Sequence, residues 1–133
     1  MAGLVADTHS VVWFVLEAPD LSYTARKQMR DTLVVGDKIH LSAISLIEIV
    51  YLVEKDRIPR AALDRLLAFI ADSESGLIVV PVDVPVAQAL RQISREDIPD
   101  MPDRIIAATA LTLRLPLITK DAKIRATNIA TIW

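Results

Sequence analysis

A three-layer α/β/α sandwich around a central parallel sheet of four to five strands is the fold this sequence predicts, and three observations predict it. Short apolar, β-branched runs recur along the chain: Leu4-Val5-Ala6, Ile39-His40-Leu41, Leu77-Ile78-Val79-Val80 and Leu117-Ile118. The segments between them carry apolar residues at helical spacing. Strands separated by helices pair in parallel through right-handed crossovers, which place helices over both faces of the sheet.

Taken in order, Gly3 to Ala6 reads as a short buried strand ending at Asp7, and Thr8 to Leu16 as the helix that follows. A second helix runs from about Ser22 to Val34. Gly36-Asp37 turns the chain into a second strand, Lys38 to Ser42. Ser45 to Lys55 then reads as a helix with apolar positions Ile47, Val50, Tyr51 and Val53. Pro59 opens a further helix, Arg60 to about Ala71. Leu77 to Val80 has the continuous apolar character of a strand covered on both faces. Pro85 to Ile93 is the next helix and Ser94 to Asp100 a polar loop; Pro102 then takes the first position of a helix that continues from Asp103 to Leu113. Leu117-Ile118-Thr119 is a fourth strand ending in Lys120-Asp121, a short helical turn follows, and Thr131 to Trp133 supplies a fifth, edge strand. No repeat, low-complexity segment or linker divides the chain, so residues 1–133 read as a single domain.

Composition narrows the chemistry. The chain is 53% apolar and 24% charged, with both signs interspersed, as in an ordinary globular protein. It has no cysteine, which excludes disulfides, thiolate metal sites and a cysteine nucleophile. The N-terminus lacks a basic leader and the apolar run Val11 to Leu16 is too short to span a bilayer, so the expectation is a cytoplasmic protein with no membrane partner. The net charge of −2 argues against a general basic surface for nucleic acid. That argument weakens if four acids are gathered around a cation, because the rest of the surface then carries more basic than acidic groups.

Gly3, Gly36 and Gly76 are the only glycines, too few and too scattered for a phosphate-binding loop or a dinucleotide-binding turn. His9 and His40 are the only imidazoles, and no Gly-x-Ser-x-Gly elbow accompanies them. What remains is acidic. Asp7 follows the first strand and Asp121 the fourth, and ligands of open parallel sheets bind beyond the carboxyl ends of the strands. Glu48 falls in the first turn of the helix after strand two, and Asp103 in the first turn of the helix before strand four.

Each acid also has a purely structural explanation. Ser45-Leu46-Ile47-Glu48 fits a capping box, Asp103 can complement a helix dipole, and Asp7 and Asp121 can be N-caps. The set is what points to chemistry. Carboxylates crowded at one end of a small sheet raise one another's pKa unless a cation is present, and hard oxygen ligands favour Mg²⁺ or Mn²⁺. A water on such an ion is a nucleophile for phosphodiester hydrolysis. The hydroxyls of Thr8 and Thr119 are placed either to orient the site or merely to cap and pack.

Four segments together resemble a known family: Leu4-Val5-Ala6-Asp7-Thr8-His9, Ser42 to Glu48, Asp100-Met101-Pro102-Asp103-Arg104 with the helix to Ala110, and Leu117-Ile118-Thr119-Lys120-Asp121. Their order and spacing are similar to those of PIN domains, and in particular of VapC toxins that open with Asp-Thr-His followed by a tryptophan, here Trp13. The resemblance covers nearly the whole chain. It implies an endoribonuclease, the toxin of a type II toxin–antitoxin pair, with Asp7, Glu48, Asp103 and Asp121 as the metal-site acids and Asp7 and Asp103 as direct ligands. It further implies cleavage of single-stranded or structured RNA, often transfer RNA, a homodimer, and a cognate antitoxin that places a basic side chain near the acids. Asp100 matches an additional acid of the family, and Pro102 stands where the family usually has an aromatic or aliphatic residue. Arg104, Lys120, Lys123 and Arg125, with Arg26, Lys27 and Arg30 on the second helix, are candidates for phosphate contacts or simply solvated charges. Trp13, Phe14, Tyr51 and Leu52 read chiefly as core, with a partner groove as the alternative, and His9 and His40 read as structural.

Two rivals differ in class. A receiver-like phosphoacceptor domain would need paired acids after strand one and an acceptor aspartate after strand three, where only Asp83 stands, between Pro81 and Pro85. A PIN domain without catalysis, serving to bind RNA or protein, would keep the fold and lose the metal-dependent cleavage.

Overall fold

The computed structural model describes residues Gly3–Trp133. Met1 and Ala2, read above as the start of a sequence without a basic leader, lie outside the described residues. The elements are β1 (Gly3–Ala6), α1 (Thr8–Leu16), α2 (Tyr23–Val34), β2 (Lys38–Ser42), α3 (Ala43–Glu54), α4 (Arg60–Ala71), β3 (Leu77–Val80), α5 (Val84–Ala89), a 3₁₀ turn (Leu90–Gln92), α6 (Met101–Leu113), β4 (Leu117–Ile118), α7 (Ala122–Arg125) and β5 (Thr131–Ile132). The five strands form one parallel sheet in the order β3-β2-β1-β4-β5.

Alternation along the strands divides the core in two. Leu4 and Ala6 of β1, with Ile118 of β4, join Val11 and Val15 of α1, Met29 of α2, Ile49 of α3 and Leu66 of α4. Val5 and Leu117 point the other way, into Val86 of α5, Ile106 and Ala110 of α6 and Ile124 of α7. Central strands buried on both faces, with helices over each, give the three layers. Among the described residues no helix is long and apolar enough to cross a membrane.

Gly3 allows β1 and β2 to approach. Its φ is +127°, and a Cβ there would collide with the Lys38 carbonyl. His40 is buried with Nδ1 3.1 Å from the Leu4 carbonyl oxygen, the structural role expected of it.

Several boundaries differ from expectation for identifiable reasons. The helix after β2 begins at Ala43, because Ser42, the last strand residue, already caps it by accepting a hydrogen bond from the Ile44 amide. Ser45 therefore lies inside α3, the capping box with Glu48 does not form, and Glu48 sits in the second turn. The helix from Val84 gives way to the 3₁₀ turn before Ile93. Pro102 is the second residue of α6, since Asp100 is the N-cap. The apolar run of β3 is an edge strand with Ile78 40% exposed, so continuous hydrophobicity there does not mean cover on both faces. Tyr51, read chiefly as core, is 58% exposed, while Trp13 and Phe14 are half-buried against the core.

Candidate active site

Strand order fixes where a site belongs. From β1 the chain builds outward through β2 to β3, then returns to lay β4 and β5 on the other side of β1. The direction reverses between β1 and β4, and the crevice beyond their carboxyl ends is the switch point of the sheet. The Asp7 amide donates to the Ile118 carbonyl (3.1 Å), tying the two strand ends together there.

Asp7 leaves β1 in an extended conformation and caps α1, its Oδ1 accepting from the Ser10 amide at 2.9 Å. Asp121 does the same for α7, with Oδ1 accepting from the Lys123 and Ile124 amides at 2.8 and 3.3 Å. Thr119 is fully buried, and its Oγ1 accepts from the Asp121 amide at 3.1 Å, fixing the turn from strand to helix. Asp100 caps α6 through the Asp103 amide at 3.0 Å and so sets Asp103 in the first turn. The capping explanation and the functional one are thus compatible. Each capping carboxylate has a second oxygen that none of these bonds engages.

Glu48 reaches the site from α3. Its Oε1 accepts from the buried Thr8 hydroxyl at 2.5 Å, and Thr8 Oγ1 also lies 2.9 Å from Ser45 Oγ. One hydroxyl carries one proton, so with the carboxylate taking it, the Ser45 hydroxyl is the donor in the second contact. Thr8 is therefore the link between α1 and the Glu48 carboxylate.

Asp7, His9, Trp13, Asp103, Lys120 and Asp121 line a cavity of about 380 Å³. Asp103 and Asp121 also wall a second hollow of about 260 Å³, with Asp100 and Lys123 on its rim. A roomier cavity of about 610 Å³ beside Ile93, Leu111 and Asn128 holds none of these acids. Convergent charge marks the site better than size does.

The electrostatics centre on Asp103. Its pKa is raised to about 7, first by burial and then by repulsion from Asp100, Asp121, Glu48 and Asp7. The Glu48 carboxyl is also raised, chiefly by burial, with Asp100 and Asp7 adding to the shift and the Thr8 hydroxyl and His9 opposing it. No basic side chain neutralises the cluster: the ion pairs among the described residues are Lys27–Asp31 and Arg60–Asp64, both on exposed helix surface. All donors here are hard oxygens, which suits Mg²⁺ or Mn²⁺ in type and charge. Among the described residues, however, no three acids or histidines converge into a ready-made metal cage.

The structure therefore brings together Asp7, Glu48, Asp100, Asp103 and Asp121 with Thr8 and Thr119 beneath them. It sends Arg104 elsewhere. That guanidinium donates to the Ile93 carbonyl at 3.0 and 2.8 Å and to the Leu90 carbonyl at 2.9 Å, holding the end of the 3₁₀ turn against α6. Arg26 likewise donates to the Ala18 carbonyl, and Lys27 is paired with Asp31. Asp83 caps α5 after the edge strand β3, with β2 between it and β1, so it lies outside the crevice that a phosphoacceptor would occupy. His9 and Trp13, read as packing residues, also line the cavity, Trp13 while packing against the core. Their i, i+4 spacing on the helix that Asp7 caps was the available signal.

The model of the PIN domain family matches residues 4–130. Ribonuclease VapC22 of Mycobacterium tuberculosis (strain ATCC 25618 / H37Rv) is 26% identical over 136 residues, spanning the whole of both chains. A DNA-bound VapBC complex from Salmonella typhimurium contains a similar chain, with a TM-score of 0.73 and 22% identity over 98% of this chain and 97% of that one. The VapBC2 complex of Rickettsia felis, bound to a promoter DNA fragment, gives a TM-score of 0.72 and 20% identity over 97% and 96%. At these identities the likeness to the solved structures is one of fold.

Proposed function

The chain belongs to the PIN-domain family, and we propose that it is a metal-dependent endoribonuclease, the toxin of a toxin–antitoxin pair, hydrolysing phosphodiester bonds in single-stranded or structured RNA such as transfer RNA. The observation that carries this reading is the gathering of Asp7, Asp100, Asp103 and Asp121 around adjoining hollows with no ion pair to any of them among the described residues, which also raises the Asp103 carboxyl to about 7. An un-neutralised acidic cluster at a sheet's switch point is costly unless a cation joins it.

Asp7 and Asp103 are the proposed direct ligands of Mg²⁺ or Mn²⁺, with Glu48 and Asp121 completing the acidic set and Asp100 beside Asp103. Held by these carboxylates, a divalent ion would supply the acidity for a water nucleophile and would offset charge on the leaving oxygen. The chain's own residues prepare the place. Thr8 holds Glu48 toward the crevice, Thr119 sets the turn that presents Asp121, and the helix amides each take one oxygen of Asp7, Asp100 and Asp121, orienting the other. Burial by the crevice walls keeps Asp103 free to hold a proton near neutrality when no ion is bound.

The named relatives support the partners. The curated relative is a ribonuclease, and the neighbouring folds come from VapBC complexes. We take a cognate antitoxin and a homodimer as the assembly, with Ile47, Val50 and Tyr51 leaving an apolar strip on α3 for self-association. A single domain acting on RNA in the cytoplasm completes the reading.

The test is cleavage of a panel of structured RNAs by the wild type and Asp7→Asn, with Mg²⁺, with Mn²⁺ and with EDTA. Metal-dependent cutting that disappears in the variant is the expected outcome. Folded, metal-binding protein that cuts no RNA would instead favour a PIN domain that only binds.

A further inference from the structure

One wall of the 380 Å³ cavity is not acidic. His9 and Trp13 stand on it with ring centroids 5.6 Å apart and planes inclined at 46°. Trp13 also meets Trp133, with ring centroids 6.0 Å apart, and packs against the core. The Lys120 ammonium lies 6.0 Å from the centre of the Trp13 ring, and among the described residues it makes no ion pair with the neighbouring carboxylates. A cation resting on a ring, when Asp7 and Asp121 line the same cavity, is held weakly and is available to another anion.

We propose that His9 and Trp13 are a stacking wall for a nucleobase beside the scissile bond, and that Lys120 leaves the Trp13 ring to contact a phosphate of the same strand when that base arrives. The inference rests on reading the crevice as an RNA site, and it adds the positioning residues that the acids alone lack. A purely acidic cavity repels a polyanion. An aromatic wall binds any base through its π-face, and one mobile cation beside it offsets the charge of the incoming phosphate. The exchange leaves neither the ring nor the ammonium without a partner: the base replaces the ammonium on the ring, and the ammonium finds the phosphate.

The test uses the Asp103→Asn chain, so that RNA is bound without being cut, combined with Trp133→Phe, which makes Trp13 the sole tryptophan. A fluorescein-labelled single-stranded oligoribonucleotide reports binding by anisotropy, and an unlabelled one reports contact with Trp13 by intrinsic fluorescence. Saturable quenching of Trp13 with the same midpoint as the anisotropy is expected. Adding His9→Ala or Lys120→Ala should weaken binding by roughly 10-fold, and Trp13→Leu by roughly 10–100-fold, with Trp13→Phe close to the parent. In the otherwise native chain the Lys120→Ala loss should fall on KM more than on kcat. RNA binding without any change in Trp13 emission, unaltered binding by Trp13→Leu and His9→Ala, or no RNA binding at all would overturn the proposal. Quenching in a protein that never cuts RNA would sink the nuclease reading alone.

Discussion

At the β1–β4 crevice the carboxylates of Asp7, Glu48, Asp100, Asp103 and Asp121 face one another without a basic partner. Directly beneath them the buried hydroxyls of Thr8, Ser10, Ser45 and Thr119 are all hydrogen-bonded, and among the described residues no buried side-chain nitrogen or oxygen lacks a partner. The two layers are a few residues apart in sequence and follow opposite rules. The lower one obeys the demand that buried polar groups be satisfied. The upper one crowds like charges together, at a cost that a proton on Asp103 or a bound cation relieves. The proposed chemistry lies where the fold is least content.

The largest effect should come from removing the charge at the centre of the upper layer. Asp103→Asn should lower RNA cleavage by about 10²–10⁴-fold, the scale for losing a positioned charged group in a transition state, while raising the melting temperature of the metal-free protein near pH 8. The direction follows from linkage. A folded pKa above the unfolded one means that Asp103 contributes stability below its ordinary titration range and loses it as pH rises through about 7. Melting curves between pH 4 and 8 should therefore fall with pH in the metal-free wild type and flatten in the variant. A variant melting below wild type at pH 8 would show that the crevice carries no such repulsion.

Ile106→Ala, in the core under α6, should do the reverse. It should cost about 2–5 kcal/mol in urea unfolding and leave cleavage per folded molecule nearly intact, because Ile106 is packed in the hydrophobic core and carries no polar group of the crevice. Loss of catalysis without loss of stability would erase the distinction between the layers.

Thr8→Val sits on the boundary and sharpens it. Removing the hydroxyl should cost about 1–2 kcal/mol and push the Glu48 carboxyl further up, since the Thr8 bond is what opposes the rise. The check is unfolding together with the acidic limb of the cleavage–pH profile, which should move to higher pH. The smallest effect is expected at Lys27→Ala, whose ion pair with Asp31 is exposed on α2 and does not line the crevice; calorimetry should register no clear change in melting.

Much of the fold was legible because the strands are short apolar runs and the helices have clear period. The acids at the ends of β1 and β4 were legible for the same reason, since a residue following a strand in a parallel sheet has only one edge to occupy. What the sequence concealed was competition between local signals. Ser42 and Ser45 are both good caps, and only the end of β2 decides that the first one wins, moving Glu48 by most of a turn. Arg104 beside Asp103 looked like a phosphate contact, but consecutive helix residues point in different directions, and the carbonyls of Leu90 and Ile93 claim it. The edge position of β3 is a property of strand order, which no run of four residues encodes. His9 and Trp13 carry an apolar or aromatic character that suits a core as well as a cavity wall, and sequence alone does not separate the two.

The central claim, that these acids are gathered for a divalent cation around Asp103, is tested most directly by following the Asp103 carboxyl carbon by NMR across pH, first metal-free and then with Mg²⁺. A titration near pH 7 that Mg²⁺ drives to lower pH, and that is absent from Asp103→Asn, is the result predicted. A carboxyl that titrates in the ordinary aspartate range and ignores Mg²⁺ would contradict it.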